Sequence, residues 1–330
     1  ADELTSIVRK AIRDLLHDAA GQAGIAPEDV LEITLVGNPV MHHLLLGLDP
    51  VPLGSAPFAL ATNASVDLPT NDLELGLAAG ARAYVLPCIA GHVGADTAAV
   101  LLAETPWNHP GVSLIIDVGT NAEILLCRGD EVLAASSPTG PAFEGAQISH
   151  GQRAAPGAIE RVRIDPETLE PRFRVIGSET WSDEDGFADA LPRTGISGLC
   201  GSGIIEAIAT MYLAGIIRPD GVIDGAMAER SERVVRDGRT FSYVLHDGEP
   251  RISISQADVR AIQLAKAALH AGARLLMERM GVRTLDRIRL AGAFGSHIDV
   301  RYAMVLGLLP DCDLEAVSPA ANAAGTGARV

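Results

Sequence analysis

The chain has 330 residues, 48% of them hydrophobic, and it carries 26 basic against 42 acidic side chains for a formal charge of -16. That length is enough for about two domains with sizeable cores, and the acidic balance excludes a nucleic-acid backbone as partner. No apolar stretch reaches the roughly 18 residues that a bilayer span needs, and Ala1-Asp2-Glu3 lacks the basic start of a signal peptide, so a soluble cytoplasmic protein is expected. Cys88, Cys127, Cys200 and Cys312 show no C-x-x-C spacing and read as buried thiols, neither a metal site nor a disulfide framework.

Residues 2–20 place Leu4, Ile7, Val8, Ile12, Leu15 and Leu16 at helical spacing, with Gly21 and Gly24 to end the helix. A strand over 32–36 stops at Gly37-Asn38-Pro39 and a helix follows over 40–47, with His42 and His43 early in it. With no third ligand nearby, these histidines read as capping or packing residues. Residues 49–80, punctuated by Pro50, Pro52, Pro57 and Pro69, read as an irregular insertion. A strand over 83–87 then leads through Gly91 and Gly94 into a helix over 97–104, for which Asp96 is a plausible N-cap. A glycine loop that opens a helix also suits an anion, which makes Gly94 and Asp96 second-rank site candidates.

Residues 113–137 organise the chain: three apolar strand-like runs separated by tight turns. The first turn is Asp117-Val118-Gly119-Thr120-Asn121. Gly119 lets backbone N–H groups approach an anion, Thr120 and Asn121 offer donors, and Asp117 suits a hydrated divalent cation; a turn stabilised by Asp and Asn alone is the simpler alternative. The glycine- and proline-rich stretch 138–146 reads as a packed loop whose single charge, Glu144, either faces a ligand or anchors backbone amides. Alternation around 159–164 and 173–176 predicts a β-hairpin. The glycine cluster 195–203 opens an apolar helix over 204–214, so Gly198, Gly201, Ser202 and Gly203 present either a phosphate site at a helix entrance or close packing that only glycine permits. Beyond a surface excursion over 216–250 with a hairpin at 239–245, Ser255 starts a long helix closed by Gly281. A strand at 288–291 ends in Gly292-Ala293-Phe294-Gly295, followed by a helix over 301–308, a short strand over 314–318 and the start of a last helix.

This is a β-β-β-α-β-α order preceded by a partial copy of itself. With Asp117 to Asn121 on the first hairpin and Gly292 to Gly295 after the later strand, it resembles the acetate-and-sugar-kinase, heat-shock-chaperone and actin (ASKHA) superfamily, an α/β fold of two ribonuclease-H-like lobes. The strings at 36–50, 140–146 (Gly-Pro-Ala-Phe-Glu-Gly-Ala), 198–203 and 264–268 are similar to those of the reductive activators of corrinoid proteins.

That resemblance implies ATP-dependent reduction of a Co(II) corrinoid protein to Co(I), restarting a methyltransferase cycle, with a [2Fe-2S] domain as electron source. It implies a partial first lobe over 1–108, with its insertion at 49–80, and a second lobe over 109–330. No ferredoxin cysteine spacing occurs here and the first-lobe phosphate hairpin is missing, so the chain reads as a portion of a longer protein. It is expected to bind ATP weakly and not to turn it over. Carried over by motif, Asp117 is the catalytic carboxylate and holds Mg²⁺ through water. Gly119, Thr120 and Asn121 meet phosphate, Gly292, Ala293, Phe294 and Gly295 lie by the adenosine, and Gly198, Gly201, Ser202 and Gly203 are placed by their helix-entrance position as phosphate or ribose contacts. A corrinoid protein is the implied partner, with a homodimer as a further expectation. The alternatives are a corrinoid-protein docking module with vestigial nucleotide binding and a small-molecule phosphotransferase.

Overall fold

A computed structural model describes residues 2–295 and 297–330, with Ala293 and Phe294 described by backbone alone. The chain divides into two compact units, Ala1–Pro110 with Arg128–Ser136 and Ala320–Val330, and Gly111–Cys127 with Ser137–Pro319.

The elements run α1 (Asp2–Ala23), β1 (Glu32–Leu35), α2 (Pro39–Leu46), β2 (Val66–Pro69), β3 (Arg82–Val85) and α3 (Ala95–Glu104). β1 pairs in parallel with β3, which pairs antiparallel with β2, giving the order β1-β3-β2. Leu45, Leu73, Leu75, Ala83 and Val85 are buried at the centre of this unit, with Ile12 and Leu16 of α1 packed against them. α1 runs three residues past the predicted end because Gly21 keeps a helical conformation, which a helix interior tolerates at a cost of about 1 kcal/mol, and the left-handed Gly24, at φ +71°, is what stops it. α2 is delimited as its sequence demands. The Asn38 carboxamide accepts from Met41 N (2.9 Å), Pro39 fills the first position, and Gly47 closes the helix in the left-handed region. The stretch expected to be irregular contains β2, whose half-exposed alternation ending at Pro69 carries little apolar signal. Asp96 does not cap α3. The cap is Gly94, and Asp96 sits in the first turn, where its charge suits the helix dipole.

The chain continues through β4 (Val112–Val118), β5 (Ala122–Arg128), β6 (Glu131–Ser137), β7 (Ala158–Ile164), β8 (Pro171–Val175), α4 (Phe187–Ala190), β9 (Gly198–Leu199) and α5 (Gly201–Leu213). After them come β10 (Val234–Asp237), β11 (Thr240–His246), β12 (Ile252–Ile254), α6 (Gln256–Met280), β13 (Arg287–Ala291), α7 (Gly292–Gly295), α8 (Val300–Val305), β14 (Val317–Ala321) and α9 (Ala323–Gly327).

The principal sheet has the order β14-β13-β4-β5-β6, with β13 parallel to β4. β4 is a continuous apolar run because both its faces are covered: Leu114, Ile115 and Ile116 are wholly buried. Each contributes about 1.5–3 kcal/mol of hydrophobic stabilisation. Two smaller sheets, β8-β7-β9 and β10-β11-β12, complete the strands. The predicted hairpin at 239–245 is thus one strand of a three-stranded sheet, turning at Gly238. α5 is buried on every side from Gly201 to Met211 and is apolar there except for Ser202, Glu206 and Thr210, as suits a central helix. α6 begins with a capping box, Ser255 Oγ accepting from Asp258 N while Ser255 N donates to the Asp258 carboxylate. α9 packs on α3, and a Cβ on Gly327 would lie 1.8 Å from Ala99 O. Among the described residues no helix is long and apolar enough to cross a membrane.

Candidate functional site

β4 ends at Val118 and β5 starts at Ala122, so Gly119, Thr120 and Asn121 form the whole of the turn. Gly119 N donates to Asn121 O (3.0 Å), and the Thr120 and Asn121 side chains stand exposed. The turn is held from outside its own hairpin. Gly140 N donates to Thr120 O (2.9 Å), and the buried Thr139 hydroxyl lies 3.0 Å from both Gly119 O and Thr120 O. The Thr120 hydroxyl donates to Glu144 Oε1 at 2.6 Å. Glu144, which the sequence allows either as ligand-facing or as an anchor for backbone amides, therefore belongs to this turn. Thr139 was missed because nothing in a hydroxyl two residues past a strand says which carbonyl it will reach.

Asp117, half-buried near the end of β4, is in register with Ala291 of β13. The next residue, Gly292, adopts φ +81°, and a Cβ there would lie 2.6 Å from Asp117 Oδ1 and 3.3 Å from Val118 O. Two motifs far apart in sequence are thus adjacent, and glycine is required at their junction by both conformation and space. Gly295 folds α7 back on its strand, its own Cβ position lying 2.8 Å from Leu290 C. The Ala293 and Phe294 side chains lie outside the described part.

The glycine cluster is buried from Gly198 to Gly203. β9 adds in parallel to β7 through Ala158↔Gly198 and Ile159↔Leu199. A Cβ on Gly198 would meet His150 O at 2.8 Å, and one on Gly203 would meet Ile159 O at 2.2 Å. Close packing therefore accounts for both residues: Gly198 seats β9 against the loop at His150 and Gln152, and Gly203 seats the first turn of α5 on β7. Gly201 and Ser202 are buried in that same turn, and Ser202 Oγ lies 3.2 Å from Cys200 Sγ.

The loop 145–152 ties the cluster to the turn that carries Glu144. Leu199 N donates to His150 O (2.9 Å) and Gln152 N to Leu199 O (3.0 Å), while Gly145, at φ +82°, leaves no room for a Cβ against Gln152 O (2.4 Å). The buried Asp258 carboxylate accepts from Ser149 N (2.7 Å) through one oxygen and from Ser255 N (2.8 Å) through the other, which fixes the loop to the start of α6.

Gly94 and Asp96 lie in the first unit. A Cβ on Gly94 would stand 2.6 Å from Gly37 O, and Ala95 N donates to that carbonyl at 3.0 Å. Thr97 N donates to Asp96 Oδ1 (2.8 Å), and burial pushes the Asp96 carboxyl above its ordinary value. His43 is a packing residue: its Nδ1 bonds Pro39 O (2.9 Å) and its Nε2 accepts from Ala61 N (3.0 Å), an arrangement that requires the neutral ring with its proton on Nδ1. Burial pushes the Cys88 and Cys127 thiols up to about 11 and about 12, which leaves them unreactive at neutral pH.

His42 is 2% exposed, and neither ring nitrogen has a hydrogen-bond partner among the described residues. Burial, followed by the neighbouring His43, lowers its pKa. The folded state therefore keeps His42 neutral, while the unfolded chain takes up a proton below about 6.5. Stability from this group is complete above that value and falls as the pH drops below it, by up to about 1.4 kcal/mol per pH unit until the folded pKa is reached. Urea midpoints at pH 7.5 and 5.5 are expected to differ less in His42→Leu than in the unsubstituted protein; an equal difference would refute the assignment.

A central strand ending in a carboxylate, a three-strand meander and a parallel neighbour whose glycine turn abuts that carboxylate define an α/β protein of the ASKHA type. Residues 111–330 match the family profile described as the C-terminal domain of RACo, the ASKHA domain, and residues 1–105 match the RACo middle region. The chain belongs to the RACo family.

It is 35% identical over 335 residues to the corrinoid activation enzyme RamQ of Eubacterium limosum, an alignment that takes in 98% of this chain and 53% of that protein. It is 30% identical over 235 residues to the [Co(II) methylated amine-specific corrinoid protein] reductase of Methanosarcina barkeri, covering 68% of this chain and 40% of the relative. A solved structure of a reductive activator for corrinoid, iron-sulfur protein superposes with a TM-score of 0.82 at 30% identity, over 99% of this chain and 51% of the other. The chain spans about half the length of the curated relatives it matches.

Proposed function

We propose that this chain is the nucleotide-responsive part of a reductive activator that returns a Co(II) corrinoid protein to Co(I). The observation that carries the reading is the junction of Asp117 and Gly292 beneath the exposed Thr120 and Asn121. The cradle at Gly292 is one that any side chain would fill, and the turn supplies neutral donors beside a carboxylate, a set that suits a phosphate group with a divalent cation.

On this reading the backbone N–H groups of Thr120 and Asn121 and the Asn121 carboxamide bind phosphate beside Gly119, Asp117 holds Mg²⁺ through water, and Gly292 to Gly295 lie beside the adenosine. Gly198 to Gly203 support the site by packing. Mg²⁺, when bound, offsets phosphate charge. Reduction of Co(II) to Co(I) is uphill for an ordinary ferredoxin, and a ligand that binds two conformations unequally supplies the missing free energy. The electron comes from a [2Fe-2S] centre outside this chain.

The test is thermal unfolding with and without Mg-ATP. At ten times its Kd the ligand is expected to add about 1.4 kcal/mol of stability. No shift at 10 mM Mg-ATP would sink the nucleotide reading. ATP-dependent phosphorylation of a small acid or sugar would instead favour a phosphotransferase.

A further inference from the structure

Anion binding by itself has no use for a carboxylate at the rim of the site, yet Glu144 stands there. We propose that Glu144 makes the β4–β5 turn selective for the metal-bound form of its phosphate ligand, by holding the Thr120 hydroxyl and presenting a negative charge that only a divalent cation offsets. The inference rests on the nucleotide reading and concerns the specificity of that same site.

The Thr120 hydroxyl has one proton, and at 2.6 Å it is given to Glu144 Oε1. While that bond stands, Thr120 has no proton for a phosphate oxygen. The Thr139 hydroxyl is likewise committed, to Gly119 O and Thr120 O. The site therefore offers a bare polyanion two carboxylates, Asp117 and Glu144, and few free hydroxyl donors.

Glu144 is not placed there by a loose loop. It ends the turn Pro141–Glu144, which Gly145 N closes onto Ala142 O (3.1 Å) and Ala146 N onto Pro141 O (3.2 Å). The tightly seated Gly145 follows at once. A fixed charge of this kind repels free nucleotide more strongly than the metal complex, whose cation offsets part of the phosphate charge, and that difference turns one residue into a filter.

The competing role is a plain anchor for Thr120. Glu144→Gln separates the two, because the amide oxygen still accepts the Thr120 proton while the charge is gone. Affinity for ATP is measured calorimetrically on the full chain, once with excess Mg²⁺ and once with EDTA. Glu144→Gln is expected to tighten binding in EDTA about tenfold and to shrink the ratio of the two affinities by a similar factor. Glu144→Ala, which also frees Thr120, should shrink that ratio at least as much. An unchanged ratio in both variants overturns the proposal in favour of the anchor. Binding by the unsubstituted protein in neither condition overturns the nucleotide reading, and the filter with it.

Discussion

An Asp117→Ala variant is expected to lose about 10–100-fold in affinity for Mg-ATP, the usual cost of removing a residue that orients a metal's bound water. Corrinoid reactivation by the full-length protein should collapse with it. Asp117→Asn should behave almost as badly, since it keeps the shape but not the charge. The stereochemistry supplies a second route to the same result. Gly292→Ala leaves every donor in place but puts a methyl group 2.6 Å from Asp117 Oδ1 at φ +81°, so the carboxylate or the turn must move. The Ala variant should therefore resemble Asp117→Ala in nucleotide affinity while costing about 1–3 kcal/mol in stability. Binding calorimetry and a reactivation assay followed by the corrinoid spectrum check both. If reactivation survives loss of nucleotide binding, the chain is a docking module whose nucleotide site is vestigial.

Glu206→Ala is expected to destabilise the protein by about 3–5 kcal/mol, among the largest effects of any single substitution. Glu206 lies on α5 and is wholly buried, yet its charge is fully met. One oxygen accepts from Arg161 Nη1 (2.8 Å); the other accepts from Val162 N (2.9 Å) and from Arg163. Arg163 is held further by Asp299 (3.6 Å) and by the ring of Tyr302, whose centroid is 4.5 Å away. Truncation removes the carboxylate shared by Arg161 and Arg163 and leaves the Val162 N–H of β7 without its acceptor. Glu206→Gln keeps an acceptor and should cost less. Urea midpoints measure both, and a loss below about 1 kcal/mol for the Ala variant would show that water replaces the carboxylate. Because Gly203 packs its backbone against β7, the same substitution should loosen the glycine-rich start of α5, which hydrogen exchange there would report.

Much of this architecture was legible in residue order. Short-range rules decide where elements begin and end: Asn38-Pro39 starts α2, Gly47 ends it, Ser255 and Asp258 cap α6, and Gly281 closes it. The meander at β4 to β6 showed itself because fully buried strands are apolar without interruption. Other elements left weaker marks. β2 is half-exposed and lies among prolines, and Gly94 caps α3 through space beside Gly37 that no neighbour in sequence foretells. Two-residue β9 is defined by its partner β7 alone.

The same division runs through the site. By itself the sequence determined the fold class, the family and the identity of the turn residues, since these rest on local propensity, apolar patterning and unbroken strings. Only the tertiary structure decided that Glu144 and Thr139 belong to the turn, that Gly292 meets Asp117, and that Gly198 and Gly203 are explained by packing. Each of those facts is a contact between residues distant in the chain, and such contacts are set by strand register and close packing, which a linear order of residues does not contain.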